Sequence, residues 1–250
     1  MSNGQREHFN AIHDKYEDHY YDTESIKYRE RFIYGPIFHS IIQPNIKILE
    51  VGCGSGHTAE FLRRIFPAAM VHGCDISDQA VAAYRDKFGH DNCFCLDITK
   101  PDVELPTRYD LIIAIGVVHH MVRNLEQFFA NIRNLLNTGG SFIMCEPNAL
   151  FMNRVREIWY RLDSSFDDAN EKALNYEELR QKFLPIGFDE ARVVYTGGPA
   201  FYVILNSMIL RVPKWFKRLT YKFWFFLETY WNVLFPKSMK ACFFTEWRKL

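Results

Sequence analysis

Short apolar runs alternate with amphipathic segments between residues 45 and 146. The run 111–115 is continuously apolar, and the run 46–49 is apolar except for Lys47, a pattern typical of parallel strands covered on both faces. The pattern predicts strands at 46–51, 69–75, 93–96, 109–115 and 141–146, and helices at 58–66, 78–88 and 125–136. Regular alternation of strand and helix predicts an α/β fold with a doubly wound, mostly parallel sheet.

The two ends of the chain depart from this rhythm. Residues 1–44 are polar and rich in tyrosine, and we interpret them as an N-terminal helical cap. Residues 147–174 predict an inserted cap segment, followed by a helix at 176–184 and a strand at 188–195. The run 201–206 is the candidate for a last strand. The sequence therefore divides into a cap (1–44), a ligand-binding domain (45–206) and an amphipathic C-terminal extension (207–250).

The C-terminal extension combines aromatic and basic residues. It holds four of the five tryptophans, and Lys214, Lys217, Arg218 and Lys222 recur at the spacing of one helix face. Tryptophan with a basic face favours a helix lying at a membrane interface, while a core helix and a dimer interface stay open as alternatives. No apolar run reaches about 18 residues, so no membrane-spanning helix is predicted.

Composition excludes several other classes of function. The chain has 30 basic and 30 acidic residues, and this balance argues against a general nucleic-acid binder. Of six cysteines only Cys93 and Cys95 lie close together, and that spacing is a poor zinc signature, so no metal site is predicted. A polar N-terminus without a secretory signal and reduced thiols predict a cytoplasmic protein.

The turn after the first predicted strand is the strongest functional signal. Glu50 is followed by glycines at every second position, Gly52, Gly54 and Gly56, with Cys53 between the first two. Strand, glycine turn and helix are the layout of a nucleotide-type ligand loop, in which glycine permits a sharp turn and close approach to a ligand. The spacing G-x-G-x-G differs from the G-x-G-x-x-G of dinucleotide-binding loops, which disfavours a nicotinamide oxidoreductase.

This turn resembles motif I of class I S-adenosylmethionine (SAM) dependent methyltransferases, and residues 45–146 are similar to the ubiquinone- and menaquinone-type small-molecule group. The resemblance implies a seven-stranded, Rossmann-like sheet of order 3-2-1-4-5-7-6 with the last strand antiparallel. It implies SAM as cofactor and S-adenosylhomocysteine (SAH) as product. The implied cofactor residues, besides the turn itself, are Asp75 for the ribose, Ile76, Asp97 and Ile98 for the adenine, and Ile115 and Gly116 for the methionine part.

Candidate catalytic residues follow the fourth strand. His119 and His120 lie at the carboxyl edge where ligands of open α/β sheets bind. Histidine suits a general base near neutral pH, although either side chain alone is also typical of packing or helix capping. Glu146, at the end of the fifth strand, points toward the same edge. The candidates for closing the SAM pocket are Tyr16, Tyr20 and Tyr28.

Together these patterns predict a SAM-dependent methyltransferase that acts on an oxygen of a lipophilic or lipid-linked small molecule. The C-terminal extension adds the hypothesis of peripheral attachment to the cytoplasmic face of the inner membrane. The alternative is a non-catalytic SAM-fold subunit that scaffolds an assembly through its C-terminal tail. The sequence leaves the acceptor, the methylated atom and the oligomeric state open.

Overall fold

The fold is built on one seven-stranded sheet of order β3-β2-β1-β4-β5-β7-β6. The computed structural model describes residues 6–250 except 8, 9, 12, 14–16, 19, 40, 42, 154–171, 208 and 209. Neighbouring strands from β3 to β5 pair in parallel, and β7 pairs antiparallel with both β5 and β6. The strands are β1 (Lys47–Val51), β2 (Met70–Asp75), β3 (Cys93–Cys95), β4 (Tyr109–Ile115), β5 (Leu136–Pro147), β6 (Phe188–Thr196) and β7 (Cys242–Lys249). The predicted sheet order and the antiparallel last strand are confirmed.

Helices cover both faces of the sheet. Apolar side chains of β1 and β4 alternate between two separate buried clusters, with Ile48 and Leu111 in one and Leu49 and Ile112 in the other. This two-sided burial is the reason why consecutive positions, 48–49 in β1 and 111–115 in β4, are apolar. The helices are α1 (Thr23–Arg29), α2 (Gly35–Phe38), α3 (His57–Ile65), α4 (Asp78–Phe88), α5 (Leu125–Leu135), α6 (Tyr176–Phe183) and α7 (Lys214–Leu234), with a π-helical turn (Glu30–Tyr34) joining α1 to α2.

The predicted position of the seventh strand was wrong. The run predicted as a strand at 201–206 contains a π-helical turn, Phe201–Leu205, and the seventh strand is β7 at the end of the chain. Because β7 lies between β5 and β6, it needs apolar side chains on both faces, and Phe243, Phe244 and Trp247 are buried there. Residues 207–250 therefore do not form a separate extension along their whole length, because β7 at their end is an interior strand of the sheet.

Helix α7 packs on the N-terminal part of the chain through buried polar groups. Lys217, expected on an exposed basic face, is instead fully buried, and its ammonium donates to the carboxylate of Asp22, to Ser25 Oγ at 2.8 Å and to Ser207 Oγ at 3.0 Å. Burial lowers the pKa of Lys217, although Asp22 opposes this effect. The ammonium group thus has three partners, as a buried charge requires.

A second set of buried hydrogen bonds joins Glu228 of α7 to the rest of the chain. The carboxylate of Glu228 accepts from Tyr28 Oη at 2.7 Å, from Gly198 N at 2.8 Å and from Ala200 N at 2.9 Å. Tyr28 is fully buried, so it belongs to the core that joins α1 to α7. Across the ranges that the structure describes, no helix is both long enough and apolar enough to cross a membrane.

Candidate cofactor site and catalytic pair

The glycine turn connects β1 to α3 in a backbone conformation that favours glycine. Gly52, Gly54 and Gly56 have φ values of 67°, 50° and 82°. A Cβ built on Gly52 would lie 2.4 Å from Val117 Cγ2, whereas one built on Gly54 would meet nothing within 4 Å. Gly52 therefore permits contact with the turn after β4, and Gly54 faces open space at the edge of the sheet.

Asp75 connects the end of β2 to this turn. Its carboxylate accepts from Gly54 N at 3.0 Å and from Ser77 N at 2.9 Å. Burial raises the pKa of Asp75, and the two backbone hydrogen bonds oppose that rise. The predicted closeness of Asp75 to the glycine turn is thus present in the fold, because β1 and β2 are neighbours.

The residues expected around an adenine ring differ in exposure. Asp97 follows β3, which pairs with β2, and its carboxylate accepts from Thr99 N at 3.0 Å and Thr99 Oγ1 at 2.6 Å. Ile76 is half-buried, whereas Ile98 is only 4% exposed and packs in the core. Ile76 is consequently the more accessible of the two to a bound ring.

Glu50 is a buried carboxyl group with an incomplete set of partners. It is 4% exposed, and no hydrogen bond to its Oε2 is found within the described residues. Burial raises the pKa of Glu50 to about 8, against the opposing effect of the Thr58 hydroxyl. A buried carboxylate oxygen without a partner costs free energy, and a cationic ligand would compensate for that cost.

Three further residues expected to contact the cofactor lie around the same edge. Cys53 is buried, with its Sγ 3.6 Å from Cys93 Sγ, so its side chain belongs to the core and only its backbone lies in the turn. Ile115 is half-buried at the end of β4. Gly116 is exposed with φ 70°, and a Cβ there would meet nothing within 4 Å. The open sides of Gly54 and Gly116 lie at the carboxyl ends of the neighbouring strands β1 and β4.

His119 is held by the fully buried Glu146. One carboxylate oxygen accepts from Val117 N at 3.0 Å and Val118 N at 2.8 Å, and the other accepts from His119 N at 3.3 Å and lies 2.8 Å from His119 Nδ1. A carboxylate that already accepts backbone N–H groups on both oxygens also accepts from the ring, so Nδ1 of His119 is a hydrogen-bond donor to Glu146. The His119 side chain remains 14% exposed.

His120 lies beside this pair. Its ring centroid is 3.9 Å from that of His119, with an angle of 39° between the rings. The sequence favoured His119 over His120 as the base, and in the structure the ring of His119 is hydrogen-bonded to the buried carboxylate of Glu146.

The N-terminal segment covers the glycine turn through residues that the sequence analysis missed. His13 Nε2 lies 3.3 Å from Ser55 Oγ, and Glu17 Oε2 lies 2.7 Å from His57 Nε2. The Tyr21 ring stacks on His57 with centroids 4.0 Å apart. Residues 13, 17 and 21 recur every four positions, and this helical spacing is the signal that could have identified them.

Of the three tyrosines proposed to close the cofactor pocket, the structure describes Tyr20 and Tyr28. Tyr28 is bonded to Glu228 in the core, Tyr20 is 8% exposed, and Tyr16 lies outside the described residues. Burial also raises the pKa of Glu17, but the hydrogen bond and charge of His57 outweigh burial, so the pKa of Glu17 is lowered overall. The described contact between the N-terminal segment and the turn thus combines two polar pairs with the stacked ring of Tyr21.

Residues 49–142 match the family described as a methyltransferase domain. The chain thus contains a methyltransferase domain with the fold of class I SAM-dependent methyltransferases, and the resemblance inferred from the glycine turn is confirmed at that level. The cofactor prediction, SAM with SAH as product, is confirmed at the same level. The narrower quinone-type group is not specifically supported.

Individual relatives are distant. The chain is 28% identical over 143 residues to a malonyl-[acyl-carrier protein] O-methyltransferase of Bacillus anthracis, an alignment that covers 56% of this chain and 49% of that relative. A SAM-dependent methyltransferase of Archaeoglobus fulgidus has a TM-score of 0.61 at 17% identity, covering 94% of this chain and 98% of that one. Magnesium protoporphyrin IX methyltransferase of Synechocystis PCC 6803, solved with bound SAM, has a TM-score of 0.60 at 14% identity, covering 99% and 96%. The chain spans about half the length of the Bacillus relative, and the two solved structures support the fold alone.

The residues at the sheet edge fit SAM. The unpartnered Oε2 of Glu50 suits a cationic group such as the ligand's α-ammonium. The open sides of Gly54 and Gly116 leave room for a ligand, and the Asp75 carboxylate has acceptor capacity for the ribose hydroxyls beyond its two backbone donors.

Proposed function

We propose that this chain transfers the methyl group of SAM to a hydroxyl oxygen of a lipophilic or lipid-linked small molecule, with His119 as the general base. The observation that carries the proposal is the buried Glu146–His119 pair at the end of β4. The turn that contains His119 packs against Gly52 through Val117, and this contact supports a base close to the cofactor turn. Glu50, Gly52, Gly54, Gly56, Asp75, Ile76, Asp97, Ile115 and Gly116 are the proposed cofactor residues.

Methyl transfer to a hydroxyl group requires removal of a proton. SAM supplies a methyl group on a sulfonium, which leaves as the neutral thioether of SAH when the carbon–oxygen bond forms. His119 Nε2 accepts the hydroxyl proton, and Glu146 keeps the ring oriented while stabilising the imidazolium that results. A histidine base thus favours a hydroxyl acceptor, because a carboxylate acceptor has no proton to remove.

The acceptor class is supported by two observations. The Bacillus relative is named malonyl-[acyl-carrier protein] O-methyltransferase, which supports oxygen as the methylated atom and an acceptor linked to a carrier. Helix α7 exposes a row of large apolar side chains, including Trp215 and Leu219, which suits a protein working beside lipid. We therefore propose peripheral association with the cytoplasmic face of the inner membrane, where a lipid-linked acceptor would be found.

The test uses methyl-labelled SAM with a membrane lipid extract as acceptor. Labelled product should partition into organic solvent and resist mild alkali, because a methyl ether is stable where a methyl ester is hydrolysed to methanol. The variant His119→Ala should lose roughly a hundredfold to ten-thousandfold in turnover while SAH binding stays unchanged. His120→Ala is the matched control and should retain most of the activity.

Different results would contradict different parts of the proposal. Alkali-labile label would indicate a carboxylate acceptor. If His119→Ala turned over as fast as the parent protein, His119 would not be the general base. SAH binding with no label transferred to any lipid would favour the alternative of a non-catalytic SAM-fold subunit.

A further inference from the structure

The outer face of α7 is a continuous apolar surface. Its members recur every three or four residues along the whole helix and are 52–78% exposed. They are Trp215, Leu219, Phe223, Phe226, Tyr230 and Val233. We call these six residues the outer face. Single exposed apolar residues are normal, but an uninterrupted row along 21 residues marks an interaction surface.

The opposite face of the same helix is already occupied. Lys217, Phe225 and Glu228 are buried against the rest of the protein. The helix therefore cannot rotate to bury its outer face without breaking the ion pair to Asp22 and the hydrogen bond from Tyr28. The outer face is directed away from the core by these buried contacts.

The exposed charges that α7 itself places beside the outer face have one sign. Lys214, Arg218 and Lys222 are exposed along its edge, with Lys214 also paired to Asp18. The only acidic residue of α7 is Glu228, which is buried. A second copy of this helix would bring no acidic group to match the basic edge, whereas an anionic lipid surface would.

The geometry points to an anionic lipid bilayer as the partner of the outer face. We propose that α7 lies in the plane of the membrane, with its apolar row among the acyl chains near the headgroups and with Arg218 and Lys222 at the anionic headgroups. Trp215 and Tyr230 suit the headgroup level, where amphipathic rings concentrate. The helix is about 31 Å long at 1.5 Å per residue, so it offers an extended contact. This inference rests on the membrane association proposed above, and it names the surface and the partner.

Vesicle flotation of the full chain tests the inference without SAM or acceptor. The protein should float with vesicles of phosphatidylglycerol and phosphatidylcholine, and much less with phosphatidylcholine alone. The triple variant Leu219→Gln, Phe223→Gln, Phe226→Gln should lose flotation. The double variant Arg218→Glu, Lys222→Glu should weaken binding to the anionic vesicles by roughly a hundredfold or more, because each reversal replaces attraction by repulsion. The matched control Ile65→Gln, Met70→Gln removes exposed apolar residues elsewhere and should float like the parent.

All variants change exposed side chains, so unchanged thermal unfolding and SAH binding show that the fold is intact. A parent protein that stays in solution with anionic vesicles overturns the proposal, as does a triple variant that still floats. Sedimentation that shows a dimer converted to a monomer by the triple variant, without vesicle binding, would assign the face to a second copy instead. Because flotation requires no turnover, its failure and the failure of methyl transfer are separate results.

Discussion

Replacing Glu50 by glutamine should change stability and cofactor binding in opposite directions, both as a function of pH. Glu50 is 4% exposed at the end of β1, and burial raises its pKa to about 8 from an ordinary value of 4.5. In the ligand-free protein this carboxyl group is therefore mostly protonated at neutral pH. Glutamine keeps its size and removes only its ability to ionise.

The effect on stability follows from the raised pKa. In the unfolded chain Glu50 loses its proton near its ordinary pKa of 4.5, whereas the folded chain holds the proton until about pH 8. Folding is therefore penalised progressively as pH rises through this interval, and the penalty at about pH 7 is about 3 kcal/mol. Glu50→Gln should abolish the penalty, so the variant should be more stable than the parent at about pH 8 and similar to it below about pH 5.

The effect on binding has the opposite sign. If the ionised carboxylate holds the α-ammonium of SAH, only the deprotonated fraction of the protein binds well. With a pKa of about 8, the apparent affinity should tighten roughly twentyfold between about pH 6 and about pH 7.5. Binding at about pH 7 should also release close to one proton from the protein.

Calorimetric titration with SAH in buffers of different ionisation enthalpy measures the affinity and the proton release together. Urea unfolding at several pH values measures stability. Glu50→Gln should bind more weakly at about pH 7.5, with no proton release, while the exposed control Glu60→Gln should match the parent. Parent protein with pH-independent SAH affinity and no proton release would refute the role assigned to Glu50.

Three further predictions concern the turn and the buried link to α7. Asp75→Ala should weaken SAH binding in calorimetry by roughly 1.5–3 kcal/mol for each charge-assisted hydrogen bond lost, and unchanged affinity would exclude a ribose contact. Gly52→Ala should unfold at clearly lower urea concentration than Gly54→Ala, because only the Cβ at position 52 meets a side chain at 2.4 Å. Gly54→Ala should instead lose affinity for SAH. Equal unfolding midpoints for the two variants would contradict this account. Tyr28→Phe should cost roughly 1–3 kcal/mol of unfolding free energy by leaving Glu228 without one donor, and a variant as stable as the parent would show that the bond contributes nothing net.

The local sequence pattern was sufficient to predict those parts of the site that are formed by residues close together in the sequence. The glycine turn follows directly from β1, and its spacing alone separates it from a dinucleotide loop. Asp75 ends β2, which is next to β1, and Asp97 follows β3, which is next to β2, so their place at the same edge follows from the predicted order of the sheet.

The sequence pattern did not predict contacts between residues that lie far apart in the chain. The structural support for His119 depends on Glu146, which is 27 residues away and becomes a neighbour because β4 pairs with β5. The cap residues Glu17 and Tyr21 find His57 only when the N-terminal segment folds over the turn. No spacing rule along the chain reports such contacts.

The C-terminal segment shows most clearly which features the sequence predicts and which only the tertiary structure decides. Its aromatic and basic composition was evident from the sequence, and so was a helix. Only the tertiary structure decided that Lys217 is buried with Asp22 and that Cys242–Lys249 is an interior strand. The sequence by itself determined the cofactor turn, the strand–helix order and the class of domain, because these depend on periodicity and on glycine conformation. The Glu146–His119 pair, the contacts of the N-terminal segment and the exposed face of α7 were decided by packing, because each depends on which distant groups share a buried environment.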